Sequence, residues 1–359
     1  MNGPERAAAA TSAAAATARV NETVSQVSRT VRRRLRVGLR PLGRYGDLSM
    51  DVIDGNHDLV HGLVDSGARL AGQLAASHLH RTTPADATSV HDDDDKLATV
   101  AGLRAAFGDT LPEPLNPPIQ LTCDRDTGNV ALAVFMHGLG GHEQQWGESY
   151  LTTMADAGIS CVQVRYSTGW PLAVNAQEFA TAINHYLSDR ERPTDRLVLV
   201  GHSMGGLVIT EALATPAGQE WAGLVTEVVT LGTPFTGAPL ERFARTTLAA
   251  GSRSELAAPI LALGDHRSAG IKDLGDGITT PLPDHVRHVS VAACLGPSAR
   301  SGKSRLLGDG MVSTASARGP EHPRRTVHVL ANTGHNTLLD HPGVRDLLAS
   351  QVAPAPAAS

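Results

Sequence analysis

Gly201-His202-Ser203-Met204-Gly205, followed by Gly206, has the pattern G-x-S-x-G. A serine hydroxyl is a weak nucleophile until a neighbouring base takes its proton. In this pattern it attacks acyl carbonyls from a sharp strand-to-helix turn that lifts it above the sheet. Glycines at 201 and 205 suit such a turn, because side chains there would collide with the neighbouring chain. The pentapeptide alone is a weak signal, and its setting is the stronger one. The apolar run Leu197–Val200 precedes it and a helical pattern through Leu213 follows.

Such a serine needs a base, an acid to orient the base, and donors for the oxygen that becomes negative. Among 16 histidines, His335 in Gly334-His335-Asn336 follows the last strand-like run, Thr326–Leu330. It also falls last in the chain order Ser, Asp, His. Imidazole can take a proton and return it near neutral pH. Asp309, between Gly308 and Gly310 on the loop after Val286–Ala293, is the expected acid, with Asp265 and Asp276 as earlier alternatives. His137-Gly138-Leu139-Gly140-Gly141 directly follows the run Val130–Met136. A glycine-rich loop there can aim backbone N–H groups at an oxyanion, and the donors expected are the N–H groups of Leu139 and Met204. The loop has no Lys-Ser/Thr after it and no G-x-G-x-x-G, so it does not read as a nucleotide cradle.

These residues need a scaffold. From about Ile119, β-rich runs alternate with helical patterns: runs at Val130–Met136, Ile159–Tyr166, Arg196–Val200, Val225–Leu231, Val286–Ala293 and Thr326–Leu330, and helices at Glu148–Ala157, Ala173–Ser188, Met204–Ala214 and Thr337–Ala349. Runs such as Leu197–Val200 are apolar without alternation, as strands buried on both faces are. Alternating strand and helix implies a mostly parallel sheet flanked by helices, an α/β fold. Phe235–Thr279 breaks the rhythm and reads as a small cap insertion above the strand ends. The expected organisation is an Ala-rich disordered leader over 1–20, a helical N-terminal region over 21–115, the α/β domain over 116–352 with its cap at 235–279, and a disordered tail over 353–359.

Composition excludes several alternatives. The chain of 359 residues carries a formal net charge of −5, which gives no electrostatic case for nucleic acid. Three cysteines, Cys123, Cys161 and Cys294, show neither metal-ligand spacing nor a disulfide framework. A reducing, cytoplasmic setting is therefore expected. No apolar stretch reaches the length of a transmembrane helix. The Arg29–Arg40 segment, with its Val/Leu stripe, could make weak peripheral contact with anionic lipid, but reads more simply as a solvated helix. Asp92–Asp95 reads as part of an acidic solvated loop rather than a cation site, and no metal or other cofactor is expected.

The motifs taken together resemble the bacterial α/β-hydrolase esterases and lipases: HGLGG, GHSMGG, Leu231-Gly232-Thr233-Pro234, GDGMVS at 308–313 and TGHNTLL at 333–339. Arg165-Tyr166-Ser167-Thr168-Gly169, Gly270-Ile271-Lys272-Asp273-Leu274 and Ala105-Ala106-Phe107-Gly108-Asp109 further resemble accessory motifs of an actinobacterial esterase group with a helical N-terminal region. The resemblance covers about residues 50–350 and implies an eight-stranded-type sheet with the triad Ser203, Asp309 and His335. After Leu274 this chain has Gly275-Asp276 where that group often has a basic residue. The implied activity is hydrolysis of small-molecule or lipid carboxylic esters. An acyltransferase on the same triad, or a non-catalytic lipid- or partner-binding module, would share the fold.

Overall fold

The computed structural model describes residues 1–15, 17, 66–84, 87, 89, 91, 94–108, 111–238 and 268–352. The Arg29–Arg40 segment, Asp265, most of the expected cap and the tail lie outside the described residues. The chain divides into two units. One takes in residues 1–96, 111–115 and 259–264, and the other takes in residues 97–110, 116–258 and 265–359.

In the first unit, residues 3–15 and 66–82 are helical. They run antiparallel and close together. A Cβ on Gly3 would come 3.1 Å from the His80 carbonyl oxygen, and one on Gly72 would come 2.3 Å from the Ala14 Cβ. The Ala-rich start, expected as a disordered leader, is thus a helix over 3–15. Alanine has the highest helix propensity, and here it also permits close approach of a second helix. Asp94 and Asp95, expected in a solvated loop, open the helix α1 (Asp94–Phe107).

The second unit is built on seven strands: β1 (Gln120–Arg125), β2 (Ala131–Met136), β3 (Ser160–Arg165), β4 (Arg196–His202), β5 (Val225–Leu231), β6 (Arg287–Cys294) and β7 (Arg325–Ala331). Their spatial order is β1-β3-β2-β4-β5-β6-β7. Only the edge strand β1 is antiparallel to its neighbour. Among the described residues the strands number seven, not the eight of the expected type, because a single antiparallel strand, β1, forms that edge. The run Ile119–Arg125 escapes a periodicity search because its polar residues Gln120, Thr122, Asp124 and Arg125 dilute the apolar signal.

Two layers of helix account for the continuous apolar runs. Leu132, Val134 and Met136 of β2 face a core shared with α3 (Leu172–Asp189) and α4 (Met204–Ala214). Ala133 and Phe135 face the opposite core, with Tyr150, Leu151 and Met154 of α2 (Gly147–Asp156) and Val344 and Leu348 of the C-terminal helix Pro342–Val352. Successive side chains on a strand point to opposite faces, so a strand covered on both sides must be apolar throughout.

The connections fix where a site can form. The chain passes from β2 to β3 on one side and then to β4 on the other side of β2. The loops leaving β2 and β4 therefore diverge and open a crevice at the carboxyl ends of the strands. Met136, the last residue of β2, pairs with Gly201, one residue before the end of β4. Likewise Cys294 of β6 pairs with Ala331 of β7, which sets the loops after these two strands side by side.

The far end of the sheet is pinned by charge. Glu227 of β5 accepts hydrogen bonds from Arg196 of β4 and Arg287 of β6, each at 3.0 Å. Its side chain is 9% exposed, so removing the charge leaves two poorly hydrated guanidinium groups. Glu227→Gln is expected to lower unfolding stability by about 2 kcal/mol. Urea denaturation measures this, and an unchanged midpoint would contradict it.

Candidate active site

Ser203 stands where β4 becomes α4, with φ 52 and ψ −122. A non-glycine residue at positive φ is held against its own steric preference. The turn is held by its neighbours: the Ser203 N–H donates to the Leu231 carbonyl at 2.8 Å, and the Gly206 N–H returns to the Ser203 carbonyl at 3.1 Å. Gly205 packs on the end of β2, where a Cβ would fall 2.4 Å from the Met136 carbonyl oxygen and 2.6 Å from that of His137. The Ser203 hydroxyl is buried and has no hydrogen-bond partner among the described residues.

Asp309 and His335 meet across the loops that follow β6 and β7. Asp309 Oδ2 lies 2.7 Å from His335 Nδ1, and the His335 N–H donates to the Asp309 carbonyl at 3.0 Å. The other carboxylate oxygen, Oδ1, accepts from the N–H groups of Met311 at 2.9 Å and Val312 at 2.7 Å. Gly308 has φ 59, and a Cβ there would fall 1.9 Å from the Val312 carbonyl oxygen. Burial pushes the Asp309 carboxyl up. The His335 ring, its hydrogen bond and the two N–H donors outweigh this and hold it below the usual carboxylate range. The carboxylate is therefore charged, aimed and fixed. Of the two alternative acids, Asp276 ends the helix Ala269–Asp276 and Asp265 lies outside the described residues.

Gly232 lies between the serine and the histidine. It follows Leu231, whose carbonyl holds Ser203, and its Cβ would fall 3.1 Å from both Cε1 and Nδ1 of His335. With φ 59 it takes a backbone shape that suits glycine. His202 adds a second link: its ring centroid is 4.9 Å from that of His335, and its Nε2 is 3.3 Å from the His335 carbonyl oxygen. Ser203 and the Asp309–His335 pair thus share one crevice.

The His137–Gly141 loop forms the other wall. A Cβ on Gly138 would fall 2.8 Å from the Ser203 Cβ, so this backbone packs directly against the serine. The Gly141 N–H donates to the Gly138 carbonyl at 3.0 Å and the Gly140 N–H to Thr168 Oγ1 at 3.2 Å. Met204 opens α4, so its N–H is one of the first-turn donors that a helix cannot pair internally.

Sequence reasoning takes His137 and His142 as braces of this loop and marks the 165–169, 270–274 and 105–109 motifs by resemblance, without giving the motifs a part in holding it. The three accessory motifs converge on the segment after β3 that runs beside it. A Cβ on Gly169 would fall 2.0 Å from the Arg104 carbonyl oxygen and 2.6 Å from the Gly108 nitrogen. The Gly270 N–H donates to the Gly169 carbonyl at 3.2 Å. Asp273 Oδ2 accepts from the Leu172 N–H at 2.7 Å and so caps the start of α3. The glycines were the available signal, since each marks a close backbone approach between segments distant in sequence.

A model of the alpha/beta hydrolase family matches residues 133–345, and the chain belongs to that family. The fold also resembles a mature Bacillus licheniformis lipase (16% identity, TM-score 0.47, 66% of this chain and 98% of the other). It resembles an esterase from Exiguobacterium antarcticum as well (14% identity, TM-score 0.42, 66% of this chain and 95% of the other). No curated protein matches the chain. Among the described residues no helix is long and apolar enough to cross a membrane.

Three buried histidines stay neutral well into acid. Burial pushes His137 down to about 4. Burial, reinforced by the His335 ring, pushes His202 down to about 3. Burial also pushes His288, on β6, down to about 3. In the unfolded chain each takes up a proton below its ordinary value near 6.5, while in the fold it does not until about 4 or 3. Their contribution is therefore intact above 6.5 and is lost as pH falls through that window. Each contributes a slope of about 1.4 kcal/mol per pH unit there. Denaturant unfolding at pH 7, 6 and 5 is expected to show a progressive fall in stability, and equal midpoints at pH 7 and 5 would contradict it.

Proposed function

We propose that the protein is a serine hydrolase of carboxylic esters that works through an acyl-enzyme on Ser203. The observation that carries the reading is the pairing of a strained serine at a strand-to-helix turn with a buried Asp309–His335 hydrogen bond of 2.7 Å in the same crevice. Family membership supports a hydrolase.

In this mechanism Ser203 Oγ attacks the acyl carbonyl while His335 Nε2 takes its proton. Asp309 accepts a hydrogen bond from the His335 Nδ1–H, which fixes the tautomer that leaves Nε2 as the base, and it stabilises the imidazolium that forms. The N–H groups of Leu139 and Met204 donate to the carbonyl oxygen as it becomes negative. The alcohol leaves with the proton from His335. Water then attacks the acyl-enzyme, giving its proton to His335, and the carboxylic acid departs as Ser203 recovers its hydrogen. The steps need no cofactor. The substrate is a small-molecule or lipid ester.

Ser203→Ala is expected to lower turnover of chromogenic acyl esters by about 10⁶ while the protein stays folded. A phosphonate should label Ser203 and no other serine, read by mass spectrometry. Labelling elsewhere, or an active Ser203→Ala, would falsify the assignment.

Asp309→Asn places an amide donor against the imidazole and favours the wrong tautomer. It is expected to lower kcat by about 10⁴ with KM little changed. Asp276→Asn should remain within about tenfold of wild type, as expected of a residue outside the reacting set. Steady-state kinetics on both variants distinguish the acid, and a crippled Asp276→Asn beside an active Asp309→Asn would reverse it.

A further inference from the structure

The His137–Gly141 loop carries Leu139, one of the two oxyanion donors in the proposed mechanism, yet glycine-rich backbone has little stiffness of its own. Something must hold it. The end of β3 and the segment after it run beside the loop, holding it at two points and the turn that follows it at a third. The Arg165 guanidinium pairs with Glu143, with an Nε–Oε1 distance of 2.7 Å. The Tyr166 hydroxyl donates to the His137 carbonyl at 2.7 Å, and its ring stacks on the His137 imidazole with centroids 4.4 Å apart. Thr168 Oγ1 accepts from the Gly140 N–H at 3.2 Å.

The loop's own turn and the Thr168 contact fix the polar groups on both sides of Leu139. The carbonyl before it, that of Gly138, accepts from the Gly141 N–H, and the N–H after it, that of Gly140, is taken by Thr168. A peptide can rotate only if its neighbours let go, so the Leu139 N–H keeps one direction. Tyr166 and Thr168 are themselves immobilised. Both are buried, at 2% and 1% exposure, and the Ser167 carbonyl between them accepts from Asn175 Nδ2 at 2.9 Å. The packing of Gly169 and Gly270 onto the same segment closes it from behind.

The geometry points to Tyr166 and Thr168 as positioning residues that preorganise the oxyanion loop of this hydrolase. The inference rests on the ester-hydrolase reading above. A donor that must be turned into place during the reaction stabilises the transition state less than one already aimed. Loosening the clamp should therefore lower kcat and leave ground-state binding nearly intact.

Thr168→Val keeps the volume and removes the acceptor, whereas Thr168→Ser retains it. On the full-length protein with a chromogenic acyl ester, Thr168→Val is expected to lower kcat about tenfold to hundredfold, part of the loss caused by deleting a donor outright, with KM within about threefold. Thr168→Ser should recover most of the rate. Tyr166→Phe, which keeps the ring, should act in the same direction. An alkylboronic acid, which adds to the serine as a tetrahedral anion, should bind Thr168→Val more weakly by the same factor. A role confined to packing would lower the melting temperature without this correlated loss. Wild-type turnover together with an unimpaired Thr168→Val, or a loss of rate without a loss of boronate affinity, overturns the clamp alone. A wild-type protein that neither hydrolyses esters nor takes a phosphonate on Ser203 overturns the parent reading and the clamp with it.

Discussion

The close approach of two backbones governs this site. The end of β2 and the turn after β4 lie so near each other that a Cβ on Gly205 would fall 2.4 Å from the Met136 carbonyl oxygen, and one on Gly138 would fall 2.8 Å from the Ser203 Cβ. Both distances are below what packed atoms tolerate, so glycine is required on each side. The proposed mechanism draws on the same closeness for its two oxyanion donors. The closeness follows from the pairing of Met136 with Gly201 and from the order of the strands, which diverts the loops of β2 and β4 to opposite sides.

Around this contact, charge and hydrogen bonding are arranged in layers. Asp309 is buried, which disfavours its charge, and three donors make up the difference. His335 is oriented at Nδ1 by that carboxylate and at its backbone by the Asp309 carbonyl and the His202 ring. His137 and His202, pressed into the same region, are kept neutral by burial. Neutral rings here avoid placing extra positive charge beside the histidine that takes up a proton in the proposed mechanism. The strain at Ser203 belongs to the same economy of rigidity: a residue at φ 52 persists because the hydrogen bond to Leu231 and the packing of Gly205 leave it no alternative.

The accessory motifs enlarge the picture from a set of reacting side chains to a braced frame. Arg165, Tyr166 and Thr168 hold the wall of the crevice, Gly169 and Gly270 let the frame close, and Asp273 fixes the start of α3. None of these residues stands next to a motif of reaction chemistry in the sequence. Their signature in sequence is a glycine beside polar residues, which is common to many loops. Their partners lie far along the chain, so the contact between them is invisible until the chain is folded.

The sequence by itself determined the α/β alternation, because strands covered on both faces must be apolar throughout and helices between them must show a 3.6-residue period. It also located Ser203 on a strand-to-helix turn and placed Asp309 and His335 after successive strands, since glycine and strand signals are local. It did not reveal β1, whose edge position permits polar residues, nor the helix at residues 3–15, whose alanines carry no amphipathic pattern. The sequence favoured Asp309 over Asp265 and Asp276 by its loop position and flanking glycines, and tertiary structure supplied the 2.7 Å contact of Asp309 with His335. Tertiary structure alone brought residues 104–108 and 270–273 together on the 165–172 segment that holds the His137–Gly141 loop. Pairings between distant segments depend on strand order and register, which no local pattern of residues encodes.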